Sequence, residues 1–299
     1  MAALKKWIAL LACCLILVAL FACGTKRNIV TVDDTFMEKD VLFAKADGAE
    51  LRLDIVWPKG RGPYPALIFL FGNGWGYWSG GKAYCTQRIM DAGRRQYVAV
   101  AVDYRQTSEK RDGKPRYPFP SQVYDVKAAV RWLRANASTY HIDGTRIGAV
   151  GFSSGAHLAL MLGLTVPSDR LEGNLGNRKY SSAVQAVVSC AGPTDFTQSF
   201  PNPESRAAMS DFLGGPPESN AETYARASPV TYVRAGAPPI LTIHGEKDDE
   251  IPVSQAEMLD SKMKAVGATH ILDVKPRLGH VDLANSSEVL DFMDKFLVK

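Results

Sequence analysis

Short runs of unbroken apolar residues, separated by helical repeats, dominate the chain from residue 66 onward. Residues 66–71, 98–102, 147–151, 186–189 and 240–243 are apolar and β-rich, as strands buried on both faces should be. Residues 271–275 predict one more strand. Between these runs, residues 122–135 place Val123, Val126, Val130 and Leu133 on one stripe, and residues 154–164 begin a helix directly after a strand. Strands alternating with helices predict an α/β fold: a mostly parallel central sheet with right-handed crossovers and helices on both faces. Upstream the period changes to that of an antiparallel pair. Residues 40–44 and 50–57 flank the turn signal Ala46-Asp47-Gly48 and read as an N-terminal hairpin. Residues 196–234, rich in Pro, Gly and Ser, form a long excursion between strands and predict a lid or substrate wall. No repeat, low-complexity tract or linker divides the chain beyond residue 36, so one domain is expected over residues 37–299.

The first 22 residues belong to a different pattern. Lys5 and Lys6 precede an uncharged run of 16 residues from Trp7 to Ala22, about 24 Å as a helix and short of a ~30 Å hydrocarbon core. A basic start, an apolar stretch and a small residue at the end describe a secretory signal. Leu20-Phe21-Ala22-Cys23 resembles the lipobox of bacterial lipoproteins, which implies cleavage after residue 22 and lipid attachment at Cys23. Leu10-Leu11-Ala12-Cys13 fits the pattern loosely, but cleavage there would strand another apolar decapeptide on the mature end. An ordinary cleaved signal and an uncleaved anchor are the alternatives. The lipobox reading makes residues 23–36 a linker. It puts the protein in the bacterial cell envelope, on the extracytoplasmic side, with a membrane as partner through its N-terminal lipid.

Composition then excludes whole classes. A chain of 299 residues that is 46% hydrophobic and 22% charged is neither disordered nor fibrous. The formal charge of +4 falls to +2 once Lys5 and Lys6 leave with the signal, and no basic stripe interleaved with aromatics is present, so no nucleic-acid partner is expected. Of five cysteines only Cys85 and Cys190 lie beyond the lipobox. They make neither a disulfide framework nor a zinc spacing, although a single bridge between them stays open. Neither a metal-ligand cluster nor a phosphate-cradling glycine motif is present, and no cofactor is implied.

Candidate chemistry begins at Gly151-Phe152-Ser153-Ser154-Gly155, between a predicted strand and a predicted helix. A strand that turns sharply into a helix strains its central residue and leaves no room for flanking side chains, so Ser153 reads as an exposed nucleophile. The Ser154 amide, at the helix start, points into the same space. A serine nucleophile needs a base, and the base needs an acid to hold its tautomer. Downstream, a buried strand runs into the polar loop at 244–252, and another ends at Arg277-Leu278-Gly279-His280, in the order expected on such a sheet.

From about Leu51 onward the chain resembles an α/β-hydrolase of the esterase/lipase type, closest to the small esterases that include feruloyl, acetyl-xylan and general carboxyl esterases. The matching motifs are Asp103-Tyr104-Arg105, Gly151 to Gly155 continuing as Ala156-His157-Leu158-Ala159, Gly192-Pro193-Thr194-Asp195, His244-Gly245 through Asp248 to Ile251-Pro252, and Gly279-His280. This resemblance implies a triad of Ser153, Asp248 and His280. It favours Asp248 over its neighbour Asp249, which then becomes a solvated loop residue. His157 and His244 become structural, His141 and His270 have no motif around them, and Asp103, Arg105, Asp125 and Asp195 become polar partners at the sheet edge.

Phe71-Gly72-Asn73-Gly74-Trp75 aligns with the family's His-Gly-Gly-Gly-Trp oxyanion loop and differs at two of its five positions. The resemblance implies that the backbone amides of Asn73, Gly74 and Ser154 are oxyanion donors. Asn73 can take a glycine position because asparagine tolerates left-handed backbone. Trp75, Tyr77 and Trp78 either stack on a substrate ring or pack the loop on the scaffold. The implied function is hydrolysis of carboxylic esters, including acetyl or feruloyl esters of polysaccharides, on a small-molecule or carbohydrate-linked substrate. A peptidase or amidase of the same fold and a non-catalytic binding protein are the competing readings.

Overall fold

A computed structural model of the chain describes residues 27–298, so the expected signal at 1–22 and Cys23 lie outside the described residues. Three strands, β1 (Ile29–Val32), β2 (Thr35–Ala46) and β3 (Ala49–Pro58), pair antiparallel in succession. β4 (Tyr64–Leu70), helix α1 (Thr86–Arg94) and β5 (Val98–Val102) follow, then a small ribbon of β6 (Lys110–Arg111) and β7 (Lys114–Pro115). Helix α2 (Ser121–Ala135) and the short α3 (Ala137–Tyr140) lead to β8 (Ile142–Phe152), which runs straight into α4 (Ser154–Leu164). After β9 (Ala186–Cys190) come α5 (Pro203–Leu213) and α6 (Pro217–Ala227). β10 (Ile240–Gly245), α7 (Ser254–Ala265), β11 (His270–Lys275) and α8 (Ser287–Leu297) close the fold.

Nine strands make one sheet in the order β1-β2-β3-β5-β4-β8-β9-β10-β11, parallel from β5 to β11. Its centre is dry: every residue of β5, β9 and β10 is buried, as strands covered on both faces require. α1 and α8 share one face, where Arg95 Nε donates to Asp294 Oδ2 at 2.8 Å, and α2 and α4 pack together on the other. Asp47 and Gly48, at φ +50° and +86°, form the two-residue turn between β2 and β3 that a right-twisted hairpin prefers.

One expectation changes, and another gains detail. Residues 23–36 are not all linker, because Ile29–Val32 pairs with residues 35–38 as a sheet edge. Ile29 and Val30 stay exposed there, so no buried apolar alternation marks the strand. The excursion at 196–234 is largely helical. The Asn202 side chain accepts the Glu204 and Ser205 amides, Pro203 occupies the first turn, and Gly214 ends α5 at φ +81°. Those are start and stop signals, hidden in a composition that reads as loop. Cys85 and Cys190 are both free and buried, and burial pushes the Cys85 thiol up to about 11. Arg105, buried against Asp125 at 2.7 Å, ties the exit of β5 to α2.

Candidate active site

Parallel strands from β5 to β11 put all their carboxyl ends on one edge, where open α/β sheets collect functional loops. Ser153 follows β8, Asn73 and Gly74 follow β4, Asp248 follows β10, and His280 follows β11. The chain makes the β8-to-α4 turn by holding Ser153 at φ 52°, ψ −121°, with its amide donating to the Cys190 carbonyl at 2.8 Å. A Cβ on Gly151 would lie 2.1 Å from the Gly155 carbonyl oxygen, and one on Gly155 would lie 2.2 Å from the Leu70 carbonyl oxygen. Both glycines are there because backbone passes where a side chain would be.

Three of the expected site residues form a continuous relay. Ser153 Oγ lies 3.0 Å from His280 Nε2, and His280 Nδ1 lies 2.7 Å from Asp248 Oδ2. Asp248 Oδ1 accepts the amides of Glu250 and Ile251 at 3.0 and 2.8 Å. Burial alone would raise the Asp248 carboxyl, but His244, His280 and the Ile251 amide together hold it down at about 2. Burial likewise opposes charge on His280, yet the Asp248 carboxylate, aided by the charges of Glu250 and Asp282, outweighs it and holds the imidazole above its ordinary 6.5. Asp249, by contrast, is exposed.

The oxyanion loop differs from expectation in detail. The Asn73 amide donates to Ser154 Oγ at 3.0 Å, so it is spent on a side chain instead of facing the space above Ser153. Gly74 and Ser154 remain as amides at the starts of helical turns, without carbonyl partners inside those turns. Nor does Asn73 use left-handed backbone: its φ is −164°, and the positive values belong to Gly74 (60°), Trp75 (56°) and Gly76 (115°). Its side chain earns the position instead. Nδ2 donates to Gln106 Oε1 at 3.0 Å and to the Trp78 carbonyl at 3.2 Å, while the buried Tyr104 hydroxyl lies 3.0 Å from Oδ1. Phe71, in place of the imidazole, stacks on Tyr104 with centroids 4.5 Å apart.

Aromatic residues then divide by role. Trp75 is buried, stacks on Phe212 of α5 at 4.2 Å, and donates its indole N–H to His157 Nδ1 at 3.2 Å. Indole can only donate, so His157 carries its proton on Nε2 and gives it to the Ala227 carbonyl at 2.9 Å. Burial pushes His157 down to about 4 and keeps it neutral. Oxyanion loop, elbow helix and excursion are thereby locked together, a coupling with no local sequence signal. Trp78 instead lines a cavity of about 380 Å³ with Tyr84, Ser153, Glu250, His280 and Asp282. Glu250 was not singled out by the sequence pattern, although it lies only two residues beyond Asp248; its Oε2 sits 3.8 Å from His280 Nε2. His270 also gains partners, Asp260 at 2.8 Å and Thr242 at 2.9 Å.

Residues 53–263 match the BD-FAE family model. The chain belongs to the BD-FAE family. This BD-FAE chain is 31% identical over 238 residues to Esterase LipC of Mycobacterium tuberculosis, covering 78% of this chain and 54% of LipC. It spans about half the length or less of the first curated relatives it matches. Among solved structures, a truncated form of carbohydrate esterase from gut microbiota superposes with a TM-score of 0.75 at 26% identity, covering 92% of this chain and 99% of that one. The butyrate-bound esterase Est2 of Thermogutta terrifontis gives a TM-score of 0.69 at 26% identity, covering 86% and 92%. The fold of this BD-FAE member is that of the α/β-hydrolases.

Proposed function

We propose that the chain is a serine esterase that hydrolyses carboxylic esters through an acyl-enzyme. The observation that carries this reading is the relay from Ser153 Oγ through His280 to Asp248, at 3.0 and 2.7 Å, on the wall of an open cavity. Ser153 attacks the ester carbonyl as His280 Nε2 takes its proton, and the Gly74 and Ser154 amides receive the oxyanion. The same nitrogen returns the proton to the leaving alkoxide. Water then repeats the sequence on the acyl-enzyme. The relatives' own names, an esterase and a carbohydrate esterase, support ester chemistry. A carbohydrate-linked acetyl ester suits this cavity, where Trp78 and Tyr84 offer aromatic faces to a sugar ring and Glu250 and Asp282 offer acceptors to its hydroxyls. A fluorophosphonate probe tests the assignment: one label per chain is expected at Ser153, and a label elsewhere, or none, overturns it.

Acid sensitivity follows from His280. The imidazole must be neutral to accept the serine proton, so kcat/KM rises with pH as His280 loses its own proton, at a midpoint above 6.5. Glu250→Gln removes one of the charges that favour the protonated ring. The acid limb of the kcat/KM profile is therefore expected to move to lower pH, while an unmoved limb would dissociate Glu250 from the relay.

For location, we propose a lipid anchor at Cys23 that holds the enzyme on the extracytoplasmic side of a bacterial membrane, supported by Lys5, Lys6, the apolar run and Leu20-Phe21-Ala22-Cys23. Metabolic labelling with a fatty acid is expected to vanish in Cys23→Ala. Retained labelling would defeat the anchor.

A further inference from the structure

The two sides of Ser153 are unequal, and the direction of proton return says which part of an ester occupies each. This step rests on the esterase reading above. The leaving oxygen must face His280 Nε2, because that nitrogen gives it the proton. The alcohol part of the ester therefore occupies the 380 Å³ cavity that His280 lines. The acyl part enters an adjoining slot of about 10 Å³, which shares Trp78 and Glu250 with that cavity and is walled away from His280 by Trp75, Pro193, Ala208 and Met209. Such a volume is about that of one water molecule. It takes a methyl group and excludes an aromatic acyl group.

Met209 is the decisive wall of that slot. It is 3% exposed and projects from α5, which the stacking of Phe212 on Trp75 holds against the oxyanion loop. The same side chain also lines an open groove of about 570 Å³ in the excursion, where the buried Phe196, Phe200 and Tyr224 form the floor and the exposed Gln198, Arg206 and Glu218 the rim. One residue thus stands between a slot sized for acetyl and a groove large enough for a long chain. We infer that Met209 determines acyl specificity: it restricts this enzyme to acetyl-sized acyl groups and separates the slot from a groove whose apolar floor would otherwise accept long acyl chains. Methionine can play this part because an unbranched thioether fills an irregular gap completely and, once shortened, leaves a passage in place of a clash.

The test is the ratio of kcat/KM for p-nitrophenyl octanoate to that for p-nitrophenyl acetate, measured on one preparation so that the folded fraction cancels. Wild type is expected to favour acetate. Met209→Ala should move the ratio toward octanoate by about tenfold or more, the size of effect that one or a few methylenes produce in an apolar pocket. Met209→Val, which shortens the wall while keeping the core apolar, should move it the same way by a smaller step. Met209→Phe should retain the acetate preference. A wild type that already favours octanoate, or ratios unchanged in both the Ala and Val variants, overturns the gate while leaving the esterase reading intact. Acetate hydrolysis that persists in Ser153→Ala overturns the esterase reading instead.

Discussion

Ser153→Ala is expected to lower kcat for p-nitrophenyl acetate on the order of 10⁶-fold, the scale seen when a triad serine is removed. The physical reason is that, among the described residues, Ser153 carries the one hydroxyl hydrogen-bonded to His280. Ser154, the adjacent hydroxyl, accepts the Asn73 amide at 3.0 Å and is almost fully buried, so it faces the oxyanion loop and not His280. Glu250 sits 3.8 Å from His280 Nε2, within the range of charge but beyond hydrogen-bond reach, and its carboxylate has no proton for the imidazole to remove. What remains in the variant is the turnover that a positioned substrate and two oxyanion amides give to water, ~10³-fold to 10⁴-fold above the uncatalysed rate. Folding should survive, because the substitution removes one hydroxyl from the rim of a cavity and leaves Gly151 and Gly155 to make the turn. Steady-state hydrolysis beside a wild-type control decides the matter, and equal rates would sink the mechanism.

Asp248→Asn is expected to lower kcat about 10⁴-fold with little change in geometry. Hydrogen bonding dictates why so small a change costs so much. The Oδ1 position accepts two backbone amides, from Glu250 and Ile251, so only a carbonyl oxygen can occupy it. The new NH2 must then take the Oδ2 position, 2.7 Å from His280 Nδ1, where it donates and forces the ring proton onto Nε2. Nε2 would now donate to Ser153 when it ought to accept from it. The loss is therefore one of tautomer, and raising the pH should restore part of the rate, as hydroxide assumes the role of base. A variant with near-wild-type kcat at neutral pH would show that Asp248 does not hold the tautomer.

The first prediction begins from a residue that the linear pattern picks out by itself, because its signal is local. A glycine either side of Ser153, between an apolar strand and a helix, describes a sharp turn without reference to the rest of the chain. The acid was harder. Asp248 and Asp249 are equivalent by chemistry, and resemblance alone separated them; in space Asp248 is buried against two histidines while Asp249 points into solvent. The oxyanion loop was harder still, since an amide's direction depends on which distant acceptor meets it. Asn73 finds the Ser154 hydroxyl, 81 residues away, and leaves the donors at Gly74 and Ser154.

What the sequence determined by itself was an α/β chain, the order of its buried strands, and a strained serine at one strand's end. Those features rest on apolar period and on glycine, which act between neighbours along the chain. Only the tertiary structure decided that residues 29–32 extend the sheet, that the excursion is largely helical, and that Met209 stands between a 10 Å³ slot and a 570 Å³ groove. Cavity volume belongs to the space left over when separate elements pack. No residue carries it alone, and no local pattern encodes it.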